Sequence, residues 1–232
     1  MDMTKYSSDE IYKILENELV TLQIKPNEIL SENALATRFD VSRTIIRSAL
    51  QRLSQTGFVE IIPHVGTKVT PIDLEEVNQF IYMRIAVEVK VLKDFIKSMN
   101  PPQIEKLRFC MKTLEAAIAE AGDLSSLNIN QTNEILSKDL AIHHVYFDFM
   151  DKNILWDILT QPKPGYSRFI RLDMLGGKNL PDVLKEHAEL MDIIDRADVD
   201  SVEDIISKHL YGGIRRLASE IYSNQFHQYI KR

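Results

Sequence analysis

One stretch of this chain, FVEIIPHVGTKVT at residues 58–70, sets apolar and β-branched residues at 58–62 and 67–70 around Pro63-His64-Val65-Gly66, the layout of a β-hairpin. No second block of strand pattern follows, and elsewhere the apolar residues recur at helical spacing. The chain is therefore expected to be mainly α, with one small β element closing a helical segment. Ser7 and Glu10 form a capping box ahead of the stripe Ile11, Leu15, Leu19 and Leu22. Pro26-Asn27 breaks that helix, a second runs from Ser31 through Phe39, and Asp40-Val41 makes a tight connection.

A third helix is predicted over SRTIIRSALQRL at 42–53, with Ser42 expected to cap it by accepting a bond from its first turn. Ile46, Leu50 and Leu53 give it a packing face, and Arg43 and Arg47, one turn apart, give it a basic face. It should stop at Gly57, the residue type that most easily follows a helix end. Three helices and a two-stranded wing make a winged helix-turn-helix over residues 1–70. In that arrangement the third helix reaches base edges in the major groove, and the wing, with His64 in it, approaches the backbone.

Charge narrows the function classes. The formal net charge of -6 argues against a protein that coats nucleic acid non-specifically. Of 28 Lys/Arg and 34 Asp/Glu, residues 1–72 hold 8 and 9, leaving 20 and 25 for the remainder. Yet between residues 38 and 52 Arg38, Arg43, Arg47 and Arg52 face a single acid, Asp40, a patch suited to reading one site. The N-terminus MDMTKYSSDE lacks the basic-then-apolar layout of a signal peptide, and no apolar run approaches about 20 residues, so no membrane partner and a cytoplasmic location are expected. Cys110, the only cysteine, permits neither an intrachain disulfide nor a thiolate cluster; a metal site would have to use His and carboxylates.

Residues 71–73 read as a linker, with Asp73 and Glu76 as a new capping box, and 74–232 as an all-α domain. Helices are predicted at 74–99, 103–121, 131–150, 154–174, 181–196 and 201–223, with Pro162 and Pro164 expected to break or kink the fourth. Polar residues interrupt several packing stripes. Asp139 and His143 lie one turn apart among Leu136, Tyr146 and Met150; His187 lies among Leu184, Met191 and Ile194; His209 lies among Val202, Ile206 and Leu217. Any one of these histidines alone reads as a core residue with its own hydrogen bond. Together, one Asp and three His on the inner faces of three helices are buried with least strain around one divalent cation. His144 belongs to another face, and His227, near the C-terminus, is expected to be solvated. In the first helix of this domain Arg84 and Glu88 interrupt the stripe Val77, Ile81, Val91 and Phe95. They form either an internal salt bridge or a guanidinium offered to a ligand carboxylate.

The run SENALATRFDVSRTIIRSALQRLSQTGFVEIIPHVGTKV resembles the DNA-binding domain of the GntR family of bacterial transcription regulators, through its Leu-Ala pair, Val-Ser-Arg-Thr, Arg-x-Ala-Leu-x-x-Leu and glycine-tipped wing. That resemblance implies DNA contacts from Ser42, Arg43, Thr44 and Arg47, with Gly66 at the wing tip. Asp139-x-x-x-His143, Asn153, Glu186-His187 and His209 resemble the FCD-type ligand-binding domain of the FadR branch, a six- or seven-helix bundle. It implies metal ligation by Asp139, His143, His187 and His209, with Arg84 near the metal.

Four N and O donors suit Zn first, with Ni or another first-row ion as alternatives. The expected function is a sequence-specific DNA-binding regulator, a repressor and not an enzyme. Its expected partners are a double-stranded DNA operator, a second copy in a homodimer, and a small carboxylate-bearing effector held by the metal and Arg84. The rival class is a metal-dependent hydrolase with a DNA-binding appendage, for which Glu186 is the nearest candidate base. A third reading makes the metal a purely structural pin.

Overall fold

The computed structural model describes residues 6–174, 177, 179–217 and 228–231. They fall into two compact units. The described residues of Met1–Val77, Pro162–Leu172 and Glu220–Arg232 form one, and those of Asn78–Gln161 and Asp173–Ser219 form the other.

The first unit begins with α1 (Ser8–Val20), β1 (Ile29–Leu30), α2 (Glu32–Phe39), α3 (Arg43–Gln55), β2 (Val59–Ile62) and β3 (Gly66–Val69). The capping box forms at α1: the Glu10 carboxylate accepts from Ser7 N at 2.8 Å, and Ser7 Oγ accepts from Glu10 N at 3.2 Å. Asn27 and Asp40 take left-handed backbone angles, φ 69° and 53°, as side chains that hydrogen-bond locally can. Ile11, Leu15 and Leu19 of α1 meet Ile46, Leu50 and Leu53 of α3 and Phe58 in one buried core.

Two local details differ from expectation. Ser42 stands at the N-cap of α3, but its hydroxyl makes no capping bond; its carbonyl instead accepts from both Ile45 and Ile46 N, a tightened first turn. The wing is also three-stranded, in the order β1-β3-β2, because Ile29 and Leu30 pair with Lys68 and Thr67. Two residues are too few to carry a periodicity. Gly57, at φ 81°, turns the chain out of α3, so that Phe58 N reaches back to Leu53 O at 2.9 Å.

Beyond residue 73 every named element is helical: α4 (Leu74–Ser98), α5 (Pro101–Ala121), a 3-10 turn at Leu124–Ser126, α6 (Ile129–Phe149), α7 (Asn153–Thr160), α8 (Tyr166–Met174), α9 (Leu180–Asp195), α10 (Val202–Leu210) and α11 (Gly212–Leu217). Asn100-Pro101-Pro102 ends α4 and also starts α5, since Asn100 caps it and proline suits a first turn, where the N–H has no helical partner. The segment 154–174 is two helices, separated at Pro162 and Pro164, which lack the N–H a continuous helix needs. The segment expected to run unbroken from 201 divides at Tyr211, ahead of Gly212-Gly213. Its residues past 217, and His227, lie outside the described residues. In the second unit α5 packs along α6 and α9, and α10 packs on α9. Among the described residues no helix is long and apolar enough to cross a membrane.

One buried cation organises the segment after the wing. Arg168, in the part of α8 that belongs to the first unit, is fully buried and donates through Nη1 to Thr70 O at 2.6 Å and through Nη2 to Thr70 Oγ1 at 3.2 Å and Pro71 O at 3.4 Å. Its Nε donates to Pro164 O. Burial pulls its pKa down to about 10, against the pull of Glu76, so it stays charged at neutral pH. The hydroxyl of Thr70 meanwhile donates to two carbonyls just past the end of α3, Gly57 O at 2.8 Å and Phe58 O at 3.1 Å. Arg168→Ala should cost about 3 kcal/mol, because several buried acceptors lose their donor at once. Thr70→Val should cost about 1 kcal/mol. Urea unfolding of the full chain measures both, and equal small effects would contradict the assignment.

Candidate metal centre and candidate nucleic-acid interface

The second unit brings together one donor atom each from Asp139 and His143 on α6, His187 on α9 and His209 on α10, all within 4.8 Å of one another. The three imidazole centroids stand 4.5–5.4 Å apart. Donors 2.0–2.1 Å from a shared ion lie about 3–4 Å from each other, so the cluster is of ion-binding size. The hydrogen bonds around it decide what the rings offer. His187 Nδ1 donates to the Val183 carbonyl at 2.9 Å, one turn back on its own helix. His143 Nδ1 lies 2.9 Å from Glu88 Oε2 and 2.7 Å from the Tyr146 hydroxyl, which itself donates to Glu88 at 2.7 Å. His209 Nδ1 lies 3.0 Å from Glu186 Oε2.

Carbonyls and carboxylates only accept, which puts the proton of each ring on Nδ1 and the lone pair on Nε2. His143 Nε2 and His187 Nε2 are buried with no hydrogen-bond partner among the described residues; the latter stands 3.5 Å from Asp139 Oδ1, a charge contact without a hydrogen bond. These orphaned nitrogens beside a carboxylate are what a divalent cation would satisfy.

The electrostatics agree. Burial pushes the Asp139 carboxyl up, but the surrounding imidazoles, His187 first, and Arg84 outweigh it and leave the group below its ordinary value. Burial likewise opposes the charge on Glu88, yet Arg84, His143 and Tyr146 hold it well below the carboxylate range. Arg84 itself is buried and ion-paired with Glu88 one turn along α4. Glu186, the nearest candidate base of the hydrolase reading, holds His209. Adjacent residues on α9 thus serve the cluster differently: His187 offers a ring nitrogen and Glu186 orients the ring of another helix. His144 is on the other face, 3.0 Å from Asn153 Oδ1 and stacked on Trp156, and Asn153 donates to Asp148 at 3.0 Å.

In the first unit Ser42, Arg43, Thr44 and Arg47 are all exposed along the start of α3, and Gly66 opens β3 at φ 125°. Arg43 Nη2 and Arg47 Nε each reach Glu32 Oε2 at 2.9 Å, so one carboxylate of α2 holds both guanidinium groups side by side. Hydrogen bonds from Arg47 and then Arg43 lower the pKa of that carboxylate. Sequence reading had no handle on Glu32, eleven and fifteen residues from its partners.

Comparison with known proteins joins these features. Residues 7–69 match the model of the bacterial regulatory proteins of the gntR family, and residues 79–212 match the FCD domain. The HTH-type transcriptional repressor RspR of Escherichia coli K12 is 25% identical over 211 residues, covering 90% of this chain and 88% of that protein. The gluconate operon transcriptional repressor of Bacillus subtilis is 23% identical over 160 residues, covering 69% and 62%. Among solved structures, E. coli McbR/YncC superposes with a TM-score of 0.65 at 17% identity, covering 92% of this chain and 97% of that one. The matched families and relatives are regulators, not enzymes.

The cluster has a signature in acid. Burial pulls His187 below its ordinary value despite Asp139, and pulls His209 far below, helped by the neighbouring rings. From about pH 6.5 downward the unfolded chain takes up protons that the folded, metal-free chain refuses, so stability is full above that pH and falls as pH drops. Asp139, held low, adds a second loss in stronger acid. The thermal midpoint of chelator-stripped protein should therefore fall between pH 7.5 and pH 5, and fall less in His209→Gln; a flat profile in the wild type would contradict the assigned burial.

Proposed function

The chain belongs to the gntR family of bacterial regulatory proteins, with an FCD domain behind its helix-turn-helix, and from that premise we propose that it is a sequence-specific, DNA-binding repressor whose state is set by a small carboxylate-bearing metabolite. The metabolite binds at or near a divalent metal held by Asp139, His143, His187 and His209. The observation that carries the reading is the donor set itself: three imidazoles whose Nδ1 atoms are committed to Glu88, Val183 and Glu186, leaving Nε2 atoms gathered around one carboxylate. Nitrogen and oxygen donors of this kind suit Zn, and next Ni. A cation bound there would draw a carboxylate to it, and Arg84, beside Glu88, adds a second positive group.

On the DNA side the reading assigns base and phosphate contacts to Ser42, Arg43, Thr44 and Arg47, with Gly66 at the wing. Arginine forks suit guanine edges and phosphates, and Glu32 keeps the two forks ordered until the nucleic acid replaces it. A homodimer would set two such helices about one turn of DNA apart. Residues 1–70 form the DNA-binding part of this reading, 71–73 the linker and 74–232 the sensor.

Three measurements test it. Purified protein should carry about one divalent ion per chain that His187→Ala loses, and Glu186→Ala should weaken metal binding about 10–100-fold through His209. Unchanged metal content would sink the ligand assignment. Against DNA selected from a random pool by the wild type, Arg47→Ala should lose about 1–3 kcal/mol of affinity, roughly five- to 150-fold. Full retention would exclude that contact. Small carboxylates should raise the melting temperature of metal-loaded protein and not of stripped protein; metal-independent stabilisation would favour a purely structural ion.

A further inference from the structure

A second concave site lies in the same unit, beside the cluster and separated from it by Glu186, whose carboxylate also holds His209. It is a pocket of about 360 Å³ between α9, α10 and α11, and its walls carry Lys185, Lys208, Arg215 and Arg216 against Asp182 and Glu186. None of Asp139, His143, His187 and His209 lines it. The imbalance is notable for its setting: residues 73–232 hold 20 basic and 25 acidic side chains, yet here four cations converge on two acids.

Three of the four cations are held in place. Lys208 pairs with Glu189, Arg215 donates to the Lys208 carbonyl, and Arg216 pairs with Asp173 at 2.8 Å and lies 3.7 Å from Glu186. Lys185, Lys208 and Arg215 are exposed to solvent and line the pocket, within reach of anything that enters it. Gly212 completes the wall without a side chain: a Cβ there would stand 2.7 Å from Arg216 Nη1. The room in the pocket and the position of that guanidinium thus depend on the same glycine.

We propose that this pocket binds a compact dianion, a small metabolite carrying a phosphate group or two carboxylates. Four cationic heads line the pocket against two acids, while Glu189 and Asp173, the partners of Lys208 and Arg216, are not among its lining residues; the volume suits a small molecule, and guanidinium and ammonium donors match either anion. The proposal does not rest on the metal or on the carboxylate held near it.

The test is a calorimetric titration of the chelator-stripped full chain, at low ionic strength, with inorganic phosphate and separately with succinate. Saturable binding of one ion per chain is expected, at least tenfold weaker in the double variant Lys185→Gln/Arg215→Gln, whose sites are on the surface. Gly212→Val, which keeps every charge and fills the space, should weaken it similarly, with thermal melting as the check on folding. His187→Ala should bind as the wild type does. Phosphate binding alone would uphold the proposal and name a phosphate ester, and succinate binding alone would uphold it and name a dicarboxylate. It is overturned by no saturable binding of either ion, by equal binding in the double variant, or by loss of binding in His187→Ala, which would move the anion to the metal cluster.

Discussion

Lone pairs repel, and three imidazole nitrogens cannot share a buried space cheaply unless something positive stands between them. The inner faces of α6, α9 and α10 are bound by that constraint. Each ring is turned by its own Nδ1–H: a backbone carbonyl of the same helix for His187, a carboxylate from α4 for His143, a carboxylate from α9 for His209. The rings are thus fixed from behind, and their front nitrogens face one another by default. A cation there would satisfy nitrogens that otherwise lose their hydrogen bonds to water, a cost on the order of 1–3 kcal/mol for each buried group left unpaired. It would also join α6 to α9 and α10, which the chain reaches only after α7 and α8.

The constraint explains what could be read from the sequence. A histidine in an apolar stripe is visible because helical spacing assigns it a face, and Asp139, His143, His187 and His209 were legible in this way. Glu88 was visible beside Arg84, but its reach to His143 depends on how α4 lies against α6, which periodicity does not encode. Glu186 was visible beside His187, and its reach to His209 was hidden for a related reason. Neighbours on a helix point about 100° apart, yet a long carboxylate on the flank can still touch a ring presented by the next helix. The three-stranded wing and the Glu32 bridge belong to the same class: they join residues whose spacing along the chain has no period.

Local chemistry was more legible than tertiary contact. Ser7, Ser31, Asn27, Asp40 and Gly57 act in the structure much as their side chains suggest, since caps and left-handed turns are decided within a few residues. Ser42 is the exception, and an instructive one. Its backbone carbonyl takes two donors in the first turn of α3, so the turn is stabilised without the hydroxyl.

Arg168 carries a different lesson. It lies almost a hundred residues past Thr70, yet its guanidinium binds the two carbonyls at the point where the wing ends. The border between folding units in this protein is not a border along the chain. A recombination event that moved residues 1–73 onto another domain would transfer the winged helix without the arginine that fastens its exit. The new host would have to supply an equivalent cation or leave two backbone oxygens waiting for water.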